Sequence, residues 1–114
     1  MSAPPLLQLD ADVCAGPQLD PEAMAWAAQA GFRSVINNRP DFEGGPDQPT
    51  SAAIEAAAAA AGLRYAFLPV PPMLHTPEDV TRFALLLAEL PRPILVFCRS
   101  GARSGRLYRA ATGG

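Results

Sequence analysis

Lysine is absent from this chain of 114 residues; all nine basic residues are arginine. Eleven acids outnumber them, and the net charge of −2 excludes a generally basic nucleic-acid binder. Cysteine occurs only twice, too rarely for a disulfide framework. Neither cysteine nor the single histidine has the spacing of a zinc site, so no metal and no organic cofactor is expected. Long hydrophobic runs are missing too. The Ala56–Ala61 run is too short and too weakly apolar to cross a bilayer, so no membrane contact is expected. Residues 1–9 hold no Lys or Arg ahead of an apolar core, unlike a secretory signal, and a cytoplasmic location is the expectation.

Against these absences stand 49% hydrophobic and 18% charged residues, a globular composition. The length suits one domain, residues 1–114. Charge is unevenly spread. Residues 1–89 carry four arginines and all eleven acids, whereas residues 90–114 carry five arginines and no acid. Such a C-terminal segment is either a solvated helix or part of an anion site.

Local signals define an alternating pattern. Residues 6–14 form a weak edge-strand candidate. Asp20-Pro21-Glu22 supplies a cap, a first-turn proline and a first-turn acid, and Gly31 stops the helix that follows. Residues 32–37 are a short strand, and residues 38–49 a polar loop. Thr50 or Ser51 caps a second helix ending before Gly62. Residues 63–70 are a strand. Thr76-Pro77-Glu78-Asp79 repeats the capping pattern, with Val80, Phe83, Ala84 and Leu87 as an apolar stripe. Ile94–Phe97 suits a strand buried on both faces, and a last helix starts near Ala102. Strands alternating with helices predict an α/β single domain, with a mainly parallel sheet and helices on both faces. Ligands in such folds bind beyond the carboxyl ends of the strands, where loops 38–49, 71–76 and 98–103 converge.

The chemistry resides in Phe97-Cys98-Arg99-Ser100-Gly101-Ala102-Arg103-Ser104. A buried strand delivers Cys98 into a loop, and a helix begins at once. The backbone N–H groups of Arg99, Ser100, Gly101 and Ala102 can cradle an anion, and the helix N-terminus adds positive potential. Gly101 allows a backbone angle barred to other residues. Arg103 can present two parallel donors to an oxyanion. Ser104 can donate to sulfur or to a leaving atom. The same field lowers the pKa of Cys98 and makes it a nucleophile. The alternative is a structural cysteine at a strand end with solvated arginines.

The chain resembles the beta-lactamase hydrolase-like (DUF442) phosphatase-like domain family, whose members occur beside persulfide dioxygenases. The matching segments are 16–19, the stretch 31–41 with its Ile-Asn-Asn-Arg-Pro-Asp core, 61–65, 68–70, 76–80 and 98–104. The resemblance implies a dual-specificity-phosphatase-like fold and a persulfide dioxygenase as a partner. Phosphatases of that fold keep five residues between the nucleophilic Cys and the loop Arg. Here there are four, and Cys-Arg-x-Gly-x-Arg-Ser is similar to the active loop of rhodanese sulfurtransferases. Phe97 precedes the cysteine where these phosphatases usually have His, and 69–75 lacks their general-acid Asp. Sulfur transfer needs no proton donor, whereas alkoxide departure does.

The favoured expectation is therefore a sulfurtransferase. Cys98 takes sulfane sulfur from a small anionic donor, thiosulfate or a persulfide, and passes it to a thiol acceptor. Arg103 and Ser104 assist, and Arg99, Ser100, Gly101, Ala102 and Arg39 bind substrate. The alternative is a phosphatase that attacks a phosphoester through a phosphocysteine. A third reading is a non-enzymatic anion or oxidant sensor. Arg39 either binds substrate or orders its loop through Asp41 or Glu43. Asn37 and Asn38 are expected to satisfy backbone, Cys14 to fill apolar space, and His75 to be solvated. Trp26, Phe67 and Phe83 are expected in the core.

Overall fold

The computed structural model describes residues 4–113; Met1–Ala3 and Gly114, the ends of the expected domain, lie outside the described residues. Nine elements follow in order: β1 (Leu7–Asp10), β2 (Val13–Gly16), α1 (Glu22–Gln29), β3 (Ser34–Asn37), α2 (Ser51–Ala60), β4 (Arg64–Phe67), α3 (Pro77–Glu89), β5 (Ile94–Phe97) and α4 (Ala102–Thr112). They form one five-stranded sheet in the order β1-β2-β5-β3-β4, parallel except for β1.

The expected single edge strand over residues 6–14 is instead a hairpin. Asp10 accepts a bond from the Ala11 N–H (2.7 Å), and Gln8 Nε2 reaches the Asp10 and Ala11 carbonyls. These local bonds turn the chain at Ala11-Asp12 and shift the β1–β2 register between Gln8 and Asp10.

The capping signals hold. Asp20 accepts from the Ala23 N–H, Thr50 from Ala53, and Thr76 with Asp79 closes a reciprocal capping box. Asp79 thus serves the helix start. Gly31 and Gly62 follow their helices at positive φ.

Crossover handedness explains the layers. Two successive connections, β2-α1-β3 and β3-α2-β4, advance toward the β4 edge; the third, β4-α3-β5, returns to the centre. Right-handed crossovers running in opposite directions put their helices on opposite faces. Strand β5 records this in its alternation. Ile94 and Val96 pack with Phe83, Leu87 and Leu107 of α3 and α4, while Leu95 and Phe97 pack with Met24, Ala27, Ile54 and Ala58 of α1 and α2. All four β5 side chains are buried. Phe83 is in the core on the α3–α4 face and Trp26 packs against the core on the α1–α2 face, but Phe67 is 40% exposed. It ends the outermost strand, β4, where there is no neighbour to cover it.

The central position of β5 fixes the site. Its carboxyl end is flanked by β2 on one side and β3 on the other, in register at Gly16, Phe97 and Asn37. The residue after Phe97 therefore emerges between two crossover connections.

Candidate active site

Cys98 continues β5 and is 1% exposed. Its N–H reaches the Gly16 carbonyl (3.4 Å), while the Asn38 N–H bonds the Phe97 carbonyl (2.8 Å). The Arg99 carbonyl accepts from the Gln18 N–H (3.1 Å), which ties the cysteine loop to the chain after β2. Gly101 stands at φ +98°, a left-handed conformation that costs any other residue energy. It turns the chain into α4 and aims its own N–H at the Cys98 sulfur, 3.0 Å away.

Burial pushes the Cys98 thiol upward, yet its pKa lies below the ordinary value of 9.0. The backbone N–H groups of Ser104, Ser100 and Gly101, with the Ser104 side chain, outweigh the loss of solvent. The Ser104 hydroxyl has only one proton, and a 2.9 Å bond directs it to Asn38 Oδ1. We therefore assign the sulfur's stabilisation chiefly to the backbone donors. Asn38 in turn bonds the Leu68 carbonyl through Nδ2. Ser100 is exposed and accepts weakly from the Ala102 N–H (3.4 Å).

Arg103 enters from the first turn of α4 and is 6% exposed. It makes a two-pronged pair with Glu43, Nη1 to Oε1 at 3.0 Å and Nη2 to Oε2 at 2.9 Å, and Nη1 also bonds the Val70 carbonyl. Its Nε–H is buried and has no partner. Arg39 Nε reaches the same Glu43 Oε2 at 2.9 Å, and its Nη1 bonds Gln18 Oε1. Glu43 thus bridges two guanidinium groups. The Arg103 bonds, and behind them Arg39, hold its carboxyl below the usual value of 4.5 against a desolvation that would raise it.

Of the two partners the sequence offers Arg39, Glu43 is the one taken. Asp41 instead accepts from the Ser51 N–H at the start of α2 (2.8 Å). Asn37 holds the Arg39 N–H and the Tyr65 hydroxyl, so both asparagines fill structural roles. Gln48 shapes the loop further, bonding the Gly44 N–H and the Pro40 carbonyl. A Cβ on Gly44 would come within 2.7 Å of Arg39 Nη2, so a larger residue there would push that guanidinium aside.

Arg39, Glu43, Gly44, Pro72, Arg99 and Arg103 line an open cleft of about 460 Å³. The expected convergence of the three loops holds: Arg103 joins loops 38–49 and 98–103 to Val70, and Arg106 bonds the Pro72 carbonyl (2.8 Å). His75 does not line the cleft. Cys14 pairs with Leu95, three residues before Cys98, so its sulfur lies roughly 10 Å back along the sheet, at strand spacing. It packs with the α1–α2 core, and burial raises its pKa. Gly44 and Pro72 are the lining residues that the sequence reading did not single out, and Glu43 was named there only as a partner of Arg39, not of Arg103. The signal of Glu43 and Gly44 is weak: an acid four residues after Arg39, followed by two glycines.

A strand–loop–helix cysteine at the centre of a parallel sheet, with a buried loop arginine, defines an α/β domain of the cysteine-phosphatase-like class. Residues 6–114 match the model of the beta-lactamase hydrolase-like protein, phosphatase-like domain family, and the chain belongs to that family. A beta-lactamase hydrolase-like protein of Xylella fastidiosa (strain Temecula1) is 44% identical over 81 residues, 71% of this chain and 19% of that protein. The chain therefore spans about a fifth of the length of such curated relatives. Among solved structures, a candidate phosphatase from Neisseria meningitidis Z2491 superposes with a TM-score of 0.81 at 33% identity, covering 90% of this chain and 72% of that one. A DUF442 protein from Shewanella putrefaciens CN-32 gives 0.78 at 21% identity, covering 94% and 66%, a likeness of fold.

These findings correct the sulfurtransferase expectation. That reading rested on local features: the spacing within one six-residue loop, Phe97 before the cysteine, and the lack of an Asp in 69–75. The family match spans 109 residues and is phosphatase-like, as is the 33% identical structure. Loop spacing is local and tolerates change; the placement of the loop by the whole sheet is the stronger evidence. The findings support the alternative, a cysteine-dependent phosphatase.

Proposed function

We propose that this domain is a cysteine-dependent phosphatase. The carrying observation is the Cys98 sulfur held by backbone N–H donors at the start of α4, with a buried Arg103 in the first turn of that helix whose Nε–H has no protein partner among the described residues. In this reading Cys98 is the nucleophile. Its thiolate attacks phosphorus, and a phosphocysteine forms as the leaving oxygen departs. Arg103 and the N–H groups of Ser100, Gly101 and Ala102 stabilise the equatorial oxygens, whose charge grows in the transition state. Ser104 and Asn38 position the loop. Arg99 and Arg39 attract the anionic substrate into the cleft. Water then attacks phosphorus, and the sulfur returns to its thiolate.

The two-pronged Glu43 contact supports this role for Arg103. It fixes the guanidinium plane and engages both terminal nitrogens, so that the Nε–H and the second Nη2–H are the donors left for a ligand. The reduced thiolate suits a reducing compartment, and we place the domain in the cytoplasm. Among the described residues no helix is long and apolar enough to cross a membrane.

The test is release of inorganic phosphate from p-nitrophenyl phosphate by the wild type and Cys98→Ser. The expected result is turnover that falls at least about a thousandfold in the variant. Acid quenching during turnover should also leave a phosphoryl group on Cys98 in a peptide map. Equal turnover by both proteins would refute the proposal.

A further inference from the structure

Three guanidinium groups, Arg39, Arg99 and Arg103, line the cleft together with one carboxylate, Glu43, which is bonded to the first and the last. The cluster therefore carries two uncompensated positive charges before the loop N–H groups are counted. Arg99 makes no side-chain hydrogen bond or ion pair among the described residues, and Arg103 Nε has no partner. A phosphoryl group against Cys98 engages Arg103 and the loop. Arg99 and the outer edge of Arg39 then remain for a second anionic group.

The lining also lacks a proton donor. Glu43 is its one carboxyl group, and three guanidinium N–H bonds tie both its oxygens. Asp41 and Asp79 are engaged by backbone N–H groups at the starts of α2 and α3. A general acid is worth about 10²–10⁴ in rate when the leaving oxygen is strongly basic. A leaving group that departs as a stable anion needs no such donor.

Resting on the phosphatase reading above, we propose that the substrates are phosphoanhydrides, with the terminal phosphoryl group on the Cys98 loop and the leaving phosphate held by Arg99 and Arg39. The Cys98 thiolate forms an S–P bond as the bridging P–O bond breaks. Its electron pair stays on the bridging oxygen, which leaves as part of an anionic phosphate. Water then forms a P–O bond, the S–P pair returns to sulfur, and the water proton passes to solvent. No oxidation occurs. An alkyl phosphomonoester would have to expel an unprotonated alkoxide in this cleft, and it would leave Arg99 without a partner.

The test compares tripolyphosphate, p-nitrophenyl phosphate and glycerol phosphate as substrates of the full chain, of Cys98→Ser and of Arg99→Ala. Melting curves establish that each variant is folded. The expected result is a Cys98-dependent kcat/KM for tripolyphosphate at least tenfold above that for glycerol phosphate, and about a hundredfold if acid catalysis alone separates them. Arg99→Ala should reduce tripolyphosphate turnover at least tenfold more than p-nitrophenyl phosphate turnover, mainly through KM. A preference below tenfold, or an equal effect of Arg99→Ala on both, would overturn the substrate class while Cys98-dependent p-nitrophenyl phosphate turnover kept the phosphatase reading. Absence of Cys98-dependent turnover on all three would overturn both.

Discussion

Replacing Glu43 by Gln tests whether one carboxylate organises the cleft. Glu43 accepts three charge-assisted bonds of 2.9–3.0 Å from Arg39 and Arg103, whose side chains are 10% and 7% exposed. Removing one partner of a buried ion pair costs about 3–5 kcal/mol, chiefly because the remaining charge is left in a poor solvent. Two features reduce that here. The Glu43 side chain is 18% exposed, and glutamine keeps one carbonyl oxygen for one of the three donors. About 2–3 kcal/mol of stability should be lost. With a urea slope of roughly 1.5 kcal/mol/M for a domain of this size, the midpoint should fall by about 1.3–2 M. The variant site has three guanidinium groups and no carboxylate. Inorganic phosphate should therefore stabilise it more than the wild type; at ten times its own Kd the variant gains about 1.4 kcal/mol in total. Urea titrations in phosphate-free and phosphate buffers measure both effects. A midpoint shift below about 0.3 M, or equal phosphate stabilisation of the two proteins, would refute the account of Glu43 as the bridge.

Three further outcomes follow from the same geometry. Glu43 titrates lower in the folded state than its ordinary 4.5, so its contribution is complete above that value and is lost as pH falls through the folded value; Glu43→Gln should flatten the acid limb of a stability–pH curve below pH 4.5. Cys98 also titrates below its ordinary 9.0, so the pH midpoint of its iodoacetamide alkylation should lie below that value and below that of the urea-unfolded chain. Gly101→Ala forces a side chain onto φ +98° and should cost about 1–2 kcal/mol, read by urea titration, while raising the Cys98 alkylation midpoint as the Gly101 N–H turns from the sulfur.

The layer order was legible because its signals are strong and local. Asp20-Pro21, Thr50 and Thr76-Pro77 each cap the helix that their sequence announces, and the apolar run Ile94–Phe97 is buried on both faces. Weak signals failed where a partner decides the outcome. The hairpin at residues 7–16 depends on side-chain bonds around Asp10 that a short strand pattern does not reveal. Phe67 has the composition of core, but the sheet order puts its strand at an edge. Such an order is a tertiary property, set by which crossover returns to the centre.

The site shows the same division more sharply. Cys98, Gly101 and Arg103 were legible because strand, loop and helix are contiguous in the chain. Glu43 lies 60 residues from Arg103, and nothing in a linear reading joins them. Yet Glu43 is what orients the loop arginine. Spacing alone makes the loop a compact anion cradle and leaves its chemistry to its size. With Glu43 in place, both terminal nitrogens of Arg103 are occupied and Nε is left unpartnered. The arginine's working edge is then set by a residue from a different crossover. The loop sequence, taken by itself, pointed toward sulfur transfer, and the match of residues 6–114 to a phosphatase-like family overturned that reading. That orienting carboxylate sits in the loop after β3, and only the fold brings it to the cysteine loop.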